Sequence, residues 1–205
     1  VTFGSLIKNV KALNADLVVG ADGIHSQVQR ELFGEAKPRY MGYRSHRLIT
    51  DNAAGVRCFT EYLGRGQRIG LVPISEKKIY IWTTFNSPQH EHPAPDLPRR
   101  FAQFTHEPVR TLFSRLPPPQ NIITTEIEEL WAPNWVNPKA VLLGDAAHAM
   151  TPNIGQGAGC SMMNALSLAY YLDREKDMAA ALKTWETNER PMTEARLAHE
   201  IWQVI

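Results

Sequence analysis

The residues best suited to chemistry fall in one run, Gly144-Asp145-Ala146-Ala147-His148-Ala149-Met150-Thr151-Pro152-Asn153-Ile154-Gly155-Gln156-Gly157-Ala158-Gly159, which follows the apolar Ala140-Val141-Leu142-Leu143. A strand runs into an acid, then a Pro turn, a Gly-rich approach and a helix. Open α/β sheets bind ligands beyond the carboxyl ends of their strands, which is where Asp145 stands. A carboxylate there accepts hydrogen bonds from sugar or polyol hydroxyls. Gly155 and Gly157 let backbone come close to a flat ligand, and the free N–H groups of the helix start favour an anion or a polarised carbonyl. The same glycines invite a dinucleotide-fingerprint reading, with Glu175 roughly twenty residues on. That reading fails on context: the spacing is Gly-x-Gly-x-Gly with Cys160 where a third glycine belongs, and the tail after 175 reads as helix, supplying no second strand.

Other candidate groups carry less. His90-x-His92 lies in a Pro-rich loop with no partner at metal-ligand spacing, so it reads as solvated loop and no metal is expected. His46 and Arg47 either face a ligand or form a satisfied surface pair. Tyr80 and Trp82 share one strand face and Phe85 takes the other, so one face can line an aromatic pocket, with core packing the simpler role. His148 is a candidate for a chemical role by residue type alone. No spacing suggests a nucleophile–base pair.

The elements that position these groups follow from pattern. Asp16-Leu17-Val18-Val19-Gly20-Ala21 and Lys139-Ala140-Val141-Leu142-Leu143-Gly144 are short apolar runs of the kind buried on both faces of a sheet. A helix follows the first, with Val28, Leu32 and Phe33 at helical spacing and Gly34 as its cap. Arg57 to Leu63 and Ile79 to Phe85 are rich in β-branched and aromatic residues, with turns at Gly64-Arg65-Gly66 and Ser75-Glu76-Lys77-Lys78, and predict an antiparallel sheet. Phe101 to Leu116 predicts helix interrupted near Pro108, Ile122 to Leu130 a strand, Ala158 to Leu172 a helix, and the tail more helix. An α/β start and end thus enclose a β-rich middle.

Composition bounds the rest. With 205 residues, 43% hydrophobic, 21% charged and a formal net charge of +1, the chain is globular and lacks the basic excess that phosphate backbones demand, so nucleic acid is not an expected partner. Two cysteines, Cys58 and Cys160, make no disulfide framework or zinc site, and a reducing, cytoplasmic setting is the simpler expectation. No apolar run approaches the roughly 18 residues of a membrane span.

Two segments together resemble a known family. Gly144-Asp145-Ala146-Ala147-His148 with Pro152 and Gly155-Gln156-Gly157 is similar to the second flavin motif of the flavoprotein aromatic hydroxylases, the single-component monooxygenases of the para-hydroxybenzoate hydroxylase type. Gly20-Ala21-Asp22-Gly23-Ile24-His25-Ser26 resembles that family's Asp-Gly motif, in the right order and with a β-rich segment between, and the resemblance extends through Trp185 and Glu189-Arg190-Pro191. It implies a mixed α/β fold: a partial Rossmann-like FAD-binding domain, 1–39 with 131–205, interrupted by a mostly antiparallel β-sheet substrate domain, 40–130. It implies that Asp145 holds the ribityl hydroxyls of FAD, that Pro152 lies beside the reactive ring edge, and that Gly155, Gln156, Gly157 and Ala158 present backbone to the pyrimidine side. Asp22, Gly23 and Ser26 would lie near the pyrophosphate, and His46, Arg47, Tyr80 and Trp82 would be the substrate-side candidates. The implied reaction reduces FAD with NAD(P)H, captures O2 as a C4a-hydroperoxide and transfers one oxygen to a phenolic or similar aromatic ring, the cofactor carrying the hard chemistry.

Three departures accompany the resemblance. Val28 is followed by Gln29, with Arg30 one place late, a shift of about 100° around a helix. Met163-Asn164 replaces the acidic pair common after the Gly-rich loop. No strand–Gly-x-Gly-x-x-Gly–helix precedes residue 1, and the first residue is Val, so the chain is expected to be an N-terminally incomplete part of a larger flavoprotein. A related flavin chemistry (epoxidase, halogenase or reductase) and a non-catalytic binding module remain alternatives, although the Trp-rich motif of halogenases is absent. A homo-oligomer stays open.

Overall fold

The computed structural model describes residues 3–90 and 96–201, which leaves His92 of the His90-x-His92 pair outside the described residues. The chain forms two compact units, 1–39 with 128–205 and 40–127.

In the first unit, β1 (Val18–Gly20) pairs in parallel with β8 (Ala140–Leu142), which pairs antiparallel with β7 (Val136–Asn137), giving the order β1-β8-β7. Every residue of β8 is buried, as its uniform apolar sequence requires of a central strand. α1 (Gln27–Leu32) follows β1 and ends at Phe33, with Gly34 at φ +87°, a left-handed cap. α4 (Asp145–His148) is a single turn after β8, and α5 (Gly157–Arg174) and α6 (Met178–Ile201) complete the unit. Among the described residues the tail after 175 is helical, with no second strand for a dinucleotide fingerprint. The core gathers Val28, Trp135, Val141, Leu142, Leu168, Leu182 and Trp185. Each such fully buried side chain contributes about 1.5–3 kcal/mol relative to exposure.

The second unit carries a five-stranded sheet in the order β3-β4-β5-β2-β6. Its members are β2 (Arg39–Asp51), β3 (Thr60–Gly64), β4 (Gln67–Pro73), β5 (Lys78–Asn86) and β6 (Ile123–Glu129). β2–β5, β3–β4 and β4–β5 are antiparallel. Along β5, Ile79, Ile81, Thr83 and Phe85 are buried while Tyr80 and Trp82 are half-buried, the period of two expected from the pleat. The buried face carries Leu48, Ile69, Leu71, Ile79, Ile81 and Phe85 and is closed by Leu97, Phe101, Val109 and Leu112 from α2 (Leu97–Arg100) and α3 (Val109–Phe113). The strand expected from Arg57 begins only at Thr60. The preceding residues are held in a loop by Asn52, whose side chain accepts from Val56 N–H at 2.9 Å and donates to Val56 C=O at 2.9 Å.

Cys58 is exposed and Cys160 buried, both free thiols. Among the described residues no helix is long and apolar enough to cross a membrane, and no group of three or more His, Cys, Asp or Glu side chains could hold a metal ion.

Candidate functional site

The parallel β1–β8 pair sets the base of a cleft. Gly20 ends β1 where the backbones and side chains come closest: a Cβ there would lie 2.8 Å from Val28 Cγ1 and 2.9 Å from Leu142 Cδ2. Its carbonyl accepts from Leu143 N–H at 2.8 Å, carrying the parallel pairing one residue past β8. The chain then turns at Gly144, with φ +58° and ψ −139°, a region essentially reserved for glycine. A Cβ at Gly144 would also sit 2.8 Å from Ser161 Oγ. This turn delivers Asp145 to the carboxyl end of β8 with an exposed side chain that takes no hydrogen bond from any described residue.

Opposite Asp145, α5 begins without a side-chain cap, so the N–H groups of its first turn have neither an intrahelical partner nor a capping side chain. Gly155, in the left-handed region at φ +67°, has open space where a Cβ would be, and Met150 lies against Gly157. Together these walls enclose a cleft of about 590 Å³ lined by Gly23, Gly144, Asp145, Met150, Thr151, Pro152, Gly155, Gly157, Ala158 and Ser161, among others. The sequence candidates Asp145, Pro152, Gly155, Gly157, Ala158 and Gly23 therefore meet in one place. Gln156 does not line it; its carbonyl accepts from Cys160 N–H at 2.8 Å and starts the helix.

Asp22 and Ser26 are spent locally rather than on the cleft. Ser26 Oγ donates to Asp22 Oδ1 at 2.5 Å, Asp22 Oδ2 accepts from Gln27 N–H at 2.7 Å, and Ser26 Oγ accepts from Gln29 N–H at 2.9 Å. The pair caps α1 and thereby holds the turn that carries Gly23. Gln29 is buried, donating to Gly34 C=O at 2.7 Å, while Arg30 points to solvent and donates to His25 C=O at 2.8 Å. The one-place shift of the arginine thus leaves a neutral side chain inside.

His148 is buried at the end of α4, with its ring 4.9 Å from that of Trp135. Nε2 lies 2.7 Å from Asn164 Oδ1 on α5. Burial holds its basicity below the ordinary imidazole range, against the opposing pull of Asn164 and Asp145. Asn164, which the sequence showed only as a departure from an acidic pair, is the link that sequence reasoning missed.

In the second unit, the sheet face opposite the core carries an aromatic platform. Trp82 covers Gly70, where a Cβ would fall 2.0 Å from the indole Cε2. Arg47 is the cross-strand neighbour of Trp82, and the Arg68 guanidinium sits 5.4 Å from the indole centroid while its Nε donates to Glu61 at 2.7 Å. Tyr80 lies two residues along on the same face, beside Ile49. Arg68 was not singled out from sequence; the signal available was a glycine inside the strand Gln67–Pro73 facing a large aromatic.

His46 corrects the expectation of a surface pair with Arg47. The two alternate along β2, so Arg47 is exposed while His46 is 0% exposed on the core face. There Nδ1 lies 2.8 Å from Thr124 Oγ1, and the ring lies 4.8 Å from that of Phe85. Its basicity falls to about 4, chiefly through burial and then through Arg100 and Arg44. Phe85 is core, as its alternation required.

The family model described as FAD binding domain matches residues 7–198. The chain is 38% identical over 182 residues to the aurachin C monooxygenase/isomerase of Stigmatella aurantiaca, covering 86% of this chain and 47% of that protein. It is 34% identical over 189 residues to the FAD-dependent urate hydroxylase of Mycolicibacterium vanbaalenii, covering 85% and 47%. The structure of Klebsiella pneumoniae HpxO complexed with FAD and uric acid superposes with a TM-score of 0.81 at 30% identity, covering 91% of this chain and 50% of that one. The chain spans about half the length of the curated relatives it matches. With the family model running over nearly the whole chain, and an acid-and-glycine cleft built from the two motifs, the chain belongs to the FAD-binding-domain family of flavoprotein hydroxylases and monooxygenases.

Proposed function

We propose that the chain is the part of an FAD-dependent monooxygenase that holds the flavin and presents an aromatic substrate to it. The observation that carries this reading is the cleft between Asp145 and the uncapped start of α5. The residues present fit a flavin: an exposed carboxylate without a protein partner suits the ribityl hydroxyls, and open space over Gly155 admits a flat ring against backbone. The first N–H groups of α5 suit a polarised pyrimidine carbonyl or developing negative charge on the ring. Pro152 forms one edge of the cleft, and Gly155, Gly157 and Ala158 supply its backbone wall, with Gln156 starting the helix behind them. Asp22 and Ser26 act indirectly, by fixing the turn that brings Gly23 to the cleft.

In this reading 1–39 with 131–205 is the flavin domain and 40–130 the substrate domain. When bound, FAD supplies hydride acceptance from NAD(P)H and activation of O2 for transfer of one oxygen atom. The protein's own residues bind, orient and exclude water. On the substrate domain, Trp82 and Tyr80 offer a stacking surface, and Arg47 and Arg68 flank it with positive charge. A planar aromatic bearing an ionisable hydroxyl matches that surface, because a nearby cation favours its ionised, electron-rich form. His46, buried on the other face, has no part in substrate contact. The small-molecule substrate, NAD(P)H and O2 are the expected partners.

The test is direct. FAD titrated into the chain should quench its fluorescence on binding, and a longer form of the protein matching the relatives' length should consume NAD(P)H faster with a hydroxylated aromatic present. Absence of flavin binding by both forms would overturn the reading.

A further inference from the structure

Four polar groups from three helices form one chain of hydrogen bonds beside the cleft, with His148, Asn164 and Thr193 buried and Glu189 half-buried. His148 Nε2 lies 2.7 Å from Asn164 Oδ1, and Asn164 Nδ2 donates to Glu189 Oε2 at 3.0 Å and to Thr193 Oγ1 at 3.4 Å. The direction of the chain follows from chemistry: an ionised carboxylate only accepts, so the amide N–H2 must face Glu189 and the amide oxygen must face His148. Nε2 therefore carries the imidazole proton. His148 Nδ1 is buried and has no hydrogen-bond partner, so a second proton there would be an unsatisfied donor as well as a buried charge. The backbone of Asn164 is fixed too: Trp185 Nε1 donates to its carbonyl at 3.1 Å and to Ser167 Oγ at 3.0 Å.

This chain spans the two walls of the cleft. His148 closes the single turn that Asp145 opens, and Asn164 stands two turns into the helix that Gly157 and Ala158 begin. We propose that Asn164 is a positioning residue, whose amide, oriented by Glu189, ties the Asp145 turn to α5 and sets the gap across which a flavin is held. The proposal rests on the reading of this cleft as the flavin site. The groups that face the imidazole are few: Asp145 on its own turn, Glu189 of α6 through Asn164 of α5, the backbone of His148 itself, and the neutral Trp135 ring, beyond which Arg190 lies 6.0 Å from the indole centroid. No side chain among them gives Nδ1 an acceptor.

The experiment follows the two imidazole nitrogens of His148 by 15N NMR in the full chain, together with FAD affinity from pH 5 to 8, for the wild type, Asn164→Leu and Asn164→Asp. In the wild type at pH 7 and above the ring should be neutral with the proton on Nε2, and FAD affinity should not vary there through His148. Asn164→Leu removes the acceptor and should weaken FAD roughly tenfold, the worth of one buried hydrogen bond. Asn164→Asp places a second carboxylate against Glu189 and gives His148 an anionic partner. The imidazole should then charge, and FAD affinity should decline as pH rises through its elevated pKa. A proton on Nδ1 in the wild type, or an Asn164→Asp variant whose affinity stays flat while FAD still binds, would overturn the proposal. If the chain binds no FAD, but His148 holds its proton on Nε2 and loses that tautomer in Asn164→Leu, the tie stands and only the flavin reading falls.

Discussion

Trp82 lies flat on Gly70: a methyl group built on that glycine would be 2.0 Å from the indole Cε2 and 2.2 Å from Nε1. A strand interior normally disfavours glycine, and here the missing side chain is what lets the indole rest on the backbone of β4. Gly70→Ala should lift the ring off the sheet, costing about 1–3 kcal/mol as an overpacked contact. Tryptophan emission and thermal unfolding read the two effects together. In a Trp82→Ala background the same Gly70→Ala change should cost little; an equal loss with and without the indole would show that the clash is not the cause.

Asp145 is exposed and takes no side-chain hydrogen bond, so its removal separates cofactor binding from folding. Asp145→Ala should change stability by no more than about 0.5 kcal/mol, as surface substitutions do. It should weaken FAD binding at least about tenfold, since hydrogen bonds to a charged acceptor contribute roughly 1.5–3 kcal/mol. Flavin fluorescence titration measures the second and urea unfolding the first. An unchanged dissociation constant would remove Asp145 from the ribityl role.

How much was legible beforehand depended on whether a residue's partner is near in sequence. Val28, Leu32 and Phe33 at helical spacing, with Gly34 just past Phe33, signalled α1 because helix caps are local chemistry, whereas the N-cap role of Ser26 came only with the structure. Asp145 at the end of an apolar run was legible for the same reason. β2 was not read as one strand of thirteen residues, because Arg39–Asp51 mixes polar groups on both faces, and its buried Arg44 is ion-paired with Glu126, 82 positions away. Likewise His148 and Glu189 are joined through Asn164, a link set by how α5 and α6 pack. The arginine beside Trp82 escaped notice because β3, β4 and β5 first had to be placed in register.

His46 makes stability depend on pH in a definite direction. Its pKa falls from 6.5 to about 4 on folding, so between those values the unfolded chain binds the extra proton and the folded one does not. Stability is then complete above about pH 6.5 and declines as pH falls toward about 4, by on the order of 3 kcal/mol in total. His148, also depressed by burial, acts in the same direction. Urea unfolding at pH 5 and pH 7 should show the wild type less stable at pH 5, with a smaller difference in His46→Gln. Equal slopes for both would mean that His46 is already ionised in the folded protein.

Gly144 carries two separable constraints, and two variants can tell them apart. Its φ of +58° with ψ of −139° excludes a side chain on backbone grounds, a strain of about 1–3 kcal/mol. A Cβ would independently meet Ser161 Oγ at 2.8 Å and Cβ at 3.2 Å, where α4 and α5 approach each other. Ser161 cannot rotate away freely, because its hydroxyl donates to Gly157 C=O at 2.8 Å at the start of α5. Gly144→Ala should therefore destabilise the first unit and loosen the cleft, lowering FAD affinity along with the melting temperature. In Gly144→Ala with Ser161→Gly the steric part should be relieved and the backbone part retained, so that stability recovers only partway. Full recovery would show that the backbone conformation at 144 costs nothing, and no recovery would show that Ser161 is not the obstacle.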